Sequence, residues 1–255
     1  MRVEGLKTKM SDETRIPPFH PIGNFLLRVA YAVLLEIDMQ GRENVLKTGP
    51  LIIVINHTHF IDPVIPAALL RPDIFPMAKA EVFEGKWGWV FDWYGSFPVR
   101  RGEADMNAFK HAFKLLRAGH AILMAPEGTR AREGGLQPAH EGVALIASRA
   151  NAPVLPIALW GGRGVFDKRW KKLQRTPVHV RIGAPVLTKT AGKKPTREEI
   201  RGITDDIMFS LAKMLPPEYR GVYSNVENFA PRYLVPYNSA AAQTAAPKET
   251  MPMTS

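Results

Sequence analysis

The sequence predicts an α/β fold. It is one domain with a mostly parallel or mixed central sheet flanked by helices, led by an N-terminal amphipathic helix. Three observations carry this. Short apolar runs alternate with stretches of helical period along the chain. The run at 50–55, PLIIVI, is unbroken and rich in β-branched residues, as expected of a strand buried on both faces. Chemistry-bearing residues stand directly after such runs, where open α/β sheets bind their ligands. A chain of 255 residues suits one large domain and can bury roughly three quarters of its unfolded surface.

Taken in order, residues 1–20 are polar and read as an N-terminal segment without a secretory signal. Residues 25–35, FLLRVAYAVLL, are apolar apart from Arg28 and are closed by Glu36. They fall far short of the ~20 residues that cross a bilayer. Two readings stay open here. One is an amphipathic helix packed on the domain; the other is a helix lying in a membrane interface with Arg28 at headgroup level. A strand at 50–55 leads into a helix at 63–70. Residues 74–78 form a short strand, 85–94 an aromatic-rich helix and 96–100 a strand. Over 104–117, Ala108, Ala112, Leu115 and Leu116 recur at helical spacing, and Gly119 supplies the stop. Residues 121–125 read as strand, 142–150 as helix and 154–160 as strand. Val178-His-Val-Arg-Ile182 alternates and reads as a half-exposed strand. A last amphipathic helix at 197–215 is stopped by Pro216-Pro217. No internal repeat interrupts the pattern. The domain spans 21–223, and 224–255 reads as a loose tail, most clearly from 238 onward, where Ala, Ser, Thr and Pro dominate.

Composition removes several classes. There are no cysteines, which excludes disulfides, zinc ribbons, iron–sulfur clusters and cysteine nucleophiles. With 45% hydrophobic and 23% charged residues, the chain is neither disordered, nor collagen-like, nor a coiled-coil rod. The net charge of +10 is uneven, because residues 163–201 hold twelve Lys/Arg against Asp167, Glu198 and Glu199. Such a run is a solvated basic face or an attractor for an anionic membrane or nucleic acid. Trp160, Phe166 and Trp170 beside it suit a headgroup interface and base stacking equally.

Three clusters carry chemistry. Asn56-His57-Thr58-His59-Phe60-Ile61-Asp62-Pro63 follows the strand at 50–55. A histidine there can act as a general base, with an aspartate holding its tautomer. Asp62 before Pro63 is also a good helix N-cap, and one carboxylate can serve both ends. His57, His59 and Asp62 also spell H-x-H-x-x-D, similar to the H-x-H-x-D-H of metallo-β-lactamase-like hydrolases but with the aspartate one place late. Ala125-Pro-Glu-Gly-Thr-Arg130 ends the next strand, with a glycine-freed turn and an arginine suited to phosphate. Gly95-Ser-Phe-Pro-Val-Arg-Arg101 ends a strand in two arginines.

Together with Val154-Leu-Pro-Ile157, these clusters resemble the four ordered motifs of the glycerolipid acyltransferases: Asn-His-x4-Asp, Gly-x-x-Pro-Val-x-Arg, Pro-Glu-Gly-Thr-Arg and Val-x-Pro-Ile. The likeness spans roughly residues 35–185 and is nearest to the 1-acylglycerol-3-phosphate (lysophosphatidate) acyltransferases. It implies acyl transfer from a thioester to a lysophosphatidate hydroxyl. His57 would be the base and Asp62 its orienting partner. Lys79, Arg101 and Arg130 would hold the acceptor phosphate, and Glu127, Gly128 and Thr129 would shape its pocket. Arg100 holds a variable place in the second motif. No acyl-enzyme is implied, in keeping with the missing cysteine and the missing G-x-S-x-G elbow. No metal or bound cofactor is implied either, the donor being acyl-coenzyme A or acyl carrier protein. The partners are a phospholipid surface and the carrier protein rather than nucleic acid, and the place is peripheral, on the cytoplasmic side of the membrane. Another lysophospholipid, glycerol 3-phosphate or a glycolipid are alternative acceptors. A metal-dependent hydrolase built on His57, His59 and Asp62 is the alternative of another class. The chain departs from the family pattern at Ala125, where phenylalanine is common, and at Ala139-His140-Glu141-Gly142, where Phe-Lys-x-Gly is common. The crowd of Trp87, Trp89, Phe91, Trp93 and Tyr94 beside Lys86 reads as core, acyl-chain tunnel or membrane wedge.

Overall fold

The computed structural model describes residues 14–71, 73–100, 105–131, 134–169, 172, 174–190 and 194–238. Its strands are β1 (Leu35–Gln40), β2 (Leu51–Ile55), β3 (Ile74–Lys79), β4 (Phe97–Val99), β5 (Ala121–Met124), β6 (Val154–Trp160), β7 (Thr176–Ile182), β8 (Val186–Thr188) and β9 (Leu234–Pro236). The helices are α1 (His20–Leu34), α2 (Val64–Leu69), α3 (Ala80–Glu84), α4 (Gly88–Trp93), α5 (Met106–Arg117), α6 (Gly142–Ala150), α7 (Phe166–Arg169) and α8 (Arg197–Met214).

The strands form one mixed sheet in the order β1-β7-β6-β2-β5-β3-β4. β6, β2, β5, β3 and β4 run parallel. β7 runs against β6, and β8 runs against both β6 and β9. The unbroken run in β2 has a simple cause. Ile52 and Val54 point into a core built with α5, α6 and α8, while Leu51, Ile53 and Ile55 point into a second core built with α1 and α2. A central strand covered on both faces has no position left for a polar residue. Because the five parallel strands share a direction, their carboxyl ends lie along one edge. The motifs beginning at Asn56 and Ala125 follow such ends, Arg100 and Arg101 follow the end of β4 in sequence, and Val154–Ile157 lies within β6.

Three strands, β1, β8 and β9, lie outside the sequence reading. β1, LEIDMQ, pairs with the half-exposed β7 and alternates apolar and polar, a strand signal that was available but is merged with the apolar run ending at Leu35. β8 and β9 are three residues each. β9 also corrects the reading of 224–255 as a loose tail. Its backbone pairs with β8, Val226 and Leu234 are buried, and the Tyr233 N–H donates to the Asp206 carboxylate at 2.6 Å. Those anchors continue the body of the domain past residue 223. Residues 1–13 and 239–255 lie outside the described residues.

α1 exposes many of its apolar residues. Its buried residues are His20, Asn24 and Tyr31, whereas Ile22, Phe25, Leu26, Val29 and Val33 face outward. On the inner side Leu27, Tyr31 and Leu34 pack on the second core, and polar groups hold the rest. The Tyr94 hydroxyl donates to Asn24 Oδ1 at 2.6 Å, Asn24 Nδ2 lies 3.3 Å from His20 Nδ1, and Arg28 Nε donates to the Ala68 carbonyl at 2.8 Å. The outer apolar row is continued by α4. Phe19 stacks on Trp93 at 4.7 Å, and Trp93 meets Trp89 edge-on at 5.0 Å. No helix among the described residues is long and apolar enough to cross a membrane.

Burial lowers the pKa of His20, the larger influence against a backbone hydrogen bond to Ile74 and the charge of Asp73. The folded protein therefore binds this proton less readily than the unfolded chain does. Stability is complete above the ordinary histidine value of about 6.5 and falls as pH drops below it. The slope from one proton is at most about 1.4 kcal/mol per pH unit. Protection factors over 20–34, corrected for the intrinsic exchange rate at each pH, are expected to fall between about pH 7.5 and 5.5, and His20→Leu is expected to abolish that fall. A fall of equal size in the variant would mean that another group governs α1.

Candidate active site

The site begins where β2 ends. Asn56 is buried and clamps onto β6: its Nδ2 donates to the Leu159 carbonyl, and its Oδ1 accepts the Leu159 N–H, both at 2.8 Å. This side chain extends the β2–β6 ladder by one rung and fixes the point from which residue 57 departs.

Asp62 closes the loop that follows. Its Oδ2 accepts the N–H groups of Thr58 and His59 at 2.6 Å each and the Thr58 hydroxyl at 3.2 Å. The residue before α2 is Pro63, with no side-chain cap. The helix cap expected of Asp62 does not form, and its carboxylate clasps the preceding loop instead. His57 Nδ1 lies 3.6 Å from that same Oδ2. This is close enough for electrostatic attraction and longer than a hydrogen bond. Catalytic hydrogen bonds are often loose before substrate binds.

A second loop meets the first. Glu127 is 3% exposed, with Oε1 accepting the His57 N–H at 2.9 Å and Oε2 accepting the Gln137 N–H at 3.0 Å. Burial pushes its pKa up, against the opposing pull of these two N–H donors. The Ala131 N–H donates to the His57 carbonyl at 2.7 Å. Glu127 therefore ties the β2 and β5 loops together and is absent from the lining of the neighbouring cavity. Gly128 turns the chain with φ of 66°, a conformation that favours glycine.

Beyond the turn lies a cavity of about 230 Å³ lined by Thr58, Thr129, Arg130, Ala131 and Arg163. Among the described residues, its polar side chains are two guanidiniums and two hydroxyls, and none is an acid. This donor-rich lining suits an anion. The cavity adjoins His57 through Thr58 on one side and Ala131 on the other.

The remaining expected residues are spread along the same edge. Lys79 ends β3 and is paired with Glu81 at 2.9 Å, away from the cavity lining. The Arg100 N–H donates to Asp105, the cap of α5. Arg101 lies outside the described residues. His140 is exposed and is not part of the lining. His59 turns from His57 and packs its ring against Phe60 and Phe166, at 4.5 and 5.5 Å. Among the described residues, no group of three His, Asp or Glu is placed to hold a metal ion. The three-ligand arrangement suggested by H-x-H-x-x-D therefore does not form there.

Sequence reasoning passed over Asn56, Thr58 and Arg163 as site-forming residues. Arg163 follows the end of β6 as Arg130 follows the end of β5, and that placement is the signal that was available. Conversely, Trp87, Trp89, Val90 and Trp93 are exposed rather than core, with Lys86 Nζ 5.9 Å from the Trp87 ring centre.

Comparison with known proteins adds the following. Residues 36–160 match the family model described as Acyltransferase. The chain is 28% identical over 184 residues to a 1-acyl-sn-glycerol-3-phosphate acyltransferase of Bacillus subtilis, covering 70% of this chain and 88% of that protein. It is 29% identical over 146 residues to a chloroplastic 1-acyl-sn-glycerol-3-phosphate acyltransferase, BAT2, of Brassica napus, covering 56% of this chain and 42% of the plant protein. Its fold is similar to the crystal structure of the 1-acyl-sn-glycerophosphate acyltransferase PlsC from Thermotoga maritima. The TM-score is 0.56 at 22% identity, over 74% of this chain and 76% of the other.

Proposed function

The chain belongs to the glycerolipid acyltransferase family, and from that premise we propose that it acylates the free hydroxyl of lysophosphatidate with an acyl thioester, giving phosphatidate. The observation that carries this reading is the His57–Asp62 pair, 3.6 Å apart, beside a cavity whose charged lining is two arginines. A general base and an anion grip at adjacent points are what a phosphorylated alcohol requires.

In this reading His57 Nε2 removes the acceptor hydroxyl proton as the oxygen adds to the thioester carbonyl. Asp62 holds the ring and stabilises the imidazolium. The tetrahedral intermediate collapses, the C–S bond breaks, and the proton on His57 passes to the departing thiolate. Arg130 binds the acceptor phosphate and so places the hydroxyl at His57. Glu127 acts one step back, by fixing the His57 backbone. Coenzyme A and acyl carrier protein both fit as the thiol carrier, and no bound cofactor enters the scheme.

The reading includes peripheral attachment to the cytoplasmic face of a phospholipid membrane. The outward apolar row of α1 and α4, with aromatics and Lys86 at its border, supports it.

The test is acyl transfer by the purified protein to lysophosphatidate, glycerol 3-phosphate and lysophosphatidylcholine in vesicles, from either carrier. Phosphatidate is the expected product. Arg130→Ala is expected to raise the KM for lysophosphatidate by about tenfold to a hundredfold, the size of a lost charge-assisted hydrogen-bonded pair. Transfer to lysophosphatidylcholine or glycerol 3-phosphate, with none to lysophosphatidate, would overturn the proposed acceptor.

A further inference from the structure

Of the two arginines in the cavity, the scheme above gives a role only to Arg130, from the β5 loop. Arg163 comes from the loop after β6, on the opposite side of β2. A ligand in the cavity is therefore flanked by Arg130 on one side of the strand that carries His57 and by Arg163 on the other.

Gly134, at φ of 93°, lies beside this side chain: a Cβ there would lie 2.5 Å from Arg163 Nη1 and would displace the exposed guanidinium. Thr129 adds a hydroxyl that can donate, whereas the Thr58 hydroxyl donates to Asp62. Two permanent positive charges and one hydroxyl donor match a phosphate monoester, which carries close to two negative charges at neutral pH and has three terminal oxygens. A phosphodiester headgroup has one negative charge and two free oxygens, so it leaves one of the two arginines without a full partner.

We propose that Arg163 is the specificity-determining residue that makes the site select phosphomonoester acceptors over phosphodiester and phosphate-free ones. The proposal deepens the lysophosphatidate reading and rests on it. Arg130 anchors the phosphate in either case, and Arg163 senses its second charge.

The experiment compares wild type, Arg163→Ala and Arg163→Lys in mixed micelles, with lysophosphatidate, lysophosphatidylcholine and monoacylglycerol of the same acyl chain. The readout is the ratio of kcat/KM for lysophosphatidate to that for each other acceptor, with the melting temperature measured alongside. Arg163→Ala is expected to lower both ratios by about tenfold to a hundredfold, chiefly through the KM for lysophosphatidate. Arg163→Lys, which keeps the charge and loses the two-pronged geometry, is expected to recover part of that loss. An equal loss with all three acceptors, or unchanged ratios, would overturn the role of Arg163 while leaving the acceptor assignment intact. A wild type that ignores lysophosphatidate but acylates another acceptor would overturn the acceptor assignment, and this inference with it.

Discussion

Replacing His57 with alanine is expected to lower kcat by about 10²- to 10⁴-fold, the usual contribution of a positioned general base. Folding and membrane binding should be unaffected. The geometry makes this separation clean. The bonds that hold residue 57 in place belong to its backbone: the N–H on Glu127 and the carbonyl accepting from Ala131. Its ring nitrogen Nδ1 makes no hydrogen bond in the free protein. Alanine therefore removes the imidazole without unpicking the loop. Replacing Asp62 is different in kind, since its Oδ2 clasps two backbone N–H groups and the Thr58 hydroxyl. Asp62→Ala is expected to lose loop order along with activity. Stopped-time transfer assays with lysophosphatidate, run beside vesicle sedimentation and thermal melting, separate these effects. Near-normal turnover by His57→Ala would show that another group accepts the proton.

The elements that built the site were legible because each rests on a local, strongly patterned signal. The β2 run is uniformly apolar since two cores cover it, and the residue after such a strand necessarily emerges at the sheet edge. His57, Glu127 and Arg130 could be placed in this way before any coordinates. Their division of labour could not. Glu127 looks like a pocket residue in the string Pro-Glu-Gly-Thr-Arg, yet burial and two N–H donors make it the tie between loops 57–62 and 126–137. Asn56 likewise needs its partner Leu159, more than a hundred residues away, before its role is visible. Such contacts are long-range by nature, and periodicity carries no trace of them. β8 and β9 were missed for a related reason, since three-residue strands are held by pairing partners rather than by a pattern of their own. The direction of α1 was open for a third reason. An amphipathic period says that one side differs from the other and is silent on which side faces the protein. The contacts of Asn24 with His20 and Tyr94, and of Leu27 and Tyr31 with the second core, show which side faces inward.

The exposed apolar row leads to the second large effect. Changing Phe25, Leu26 and Trp87 together to serine is expected to weaken partitioning to phospholipid vesicles by about 10³-fold. The three side chains are 65%, 60% and 63% exposed, so their removal opens no cavity in either core. Full burial of a large apolar side chain contributes about 1.5–3 kcal/mol. Three of them, each sinking part-way into an interface, account for about 4 kcal/mol, or about three decades of affinity. A lipid interface would cover the exposed row. Its residues continue from α1 through the Phe19–Trp93 stack onto the α4 tryptophans, forming one band rather than scattered points. β1 starts at Leu35, directly after α1, and pairs with Thr176 at the start of β7, which runs against β6. The carboxyl end of α1 therefore reaches the same sheet edge as His57. A protein docked by this band presents its catalytic edge beside the bilayer, where an acceptor anchored by its acyl chain is found. The triple variant is thus expected to lose transfer to vesicle-borne lysophosphatidate while keeping transfer to a short-chain acceptor dissolved as monomers. Sedimentation with vesicles and the two assays read this directly. Unchanged vesicle binding would assign the band to another occupant, and a loss of self-association in the variant, measured by analytical ultracentrifugation, would identify that occupant as a second copy of the chain.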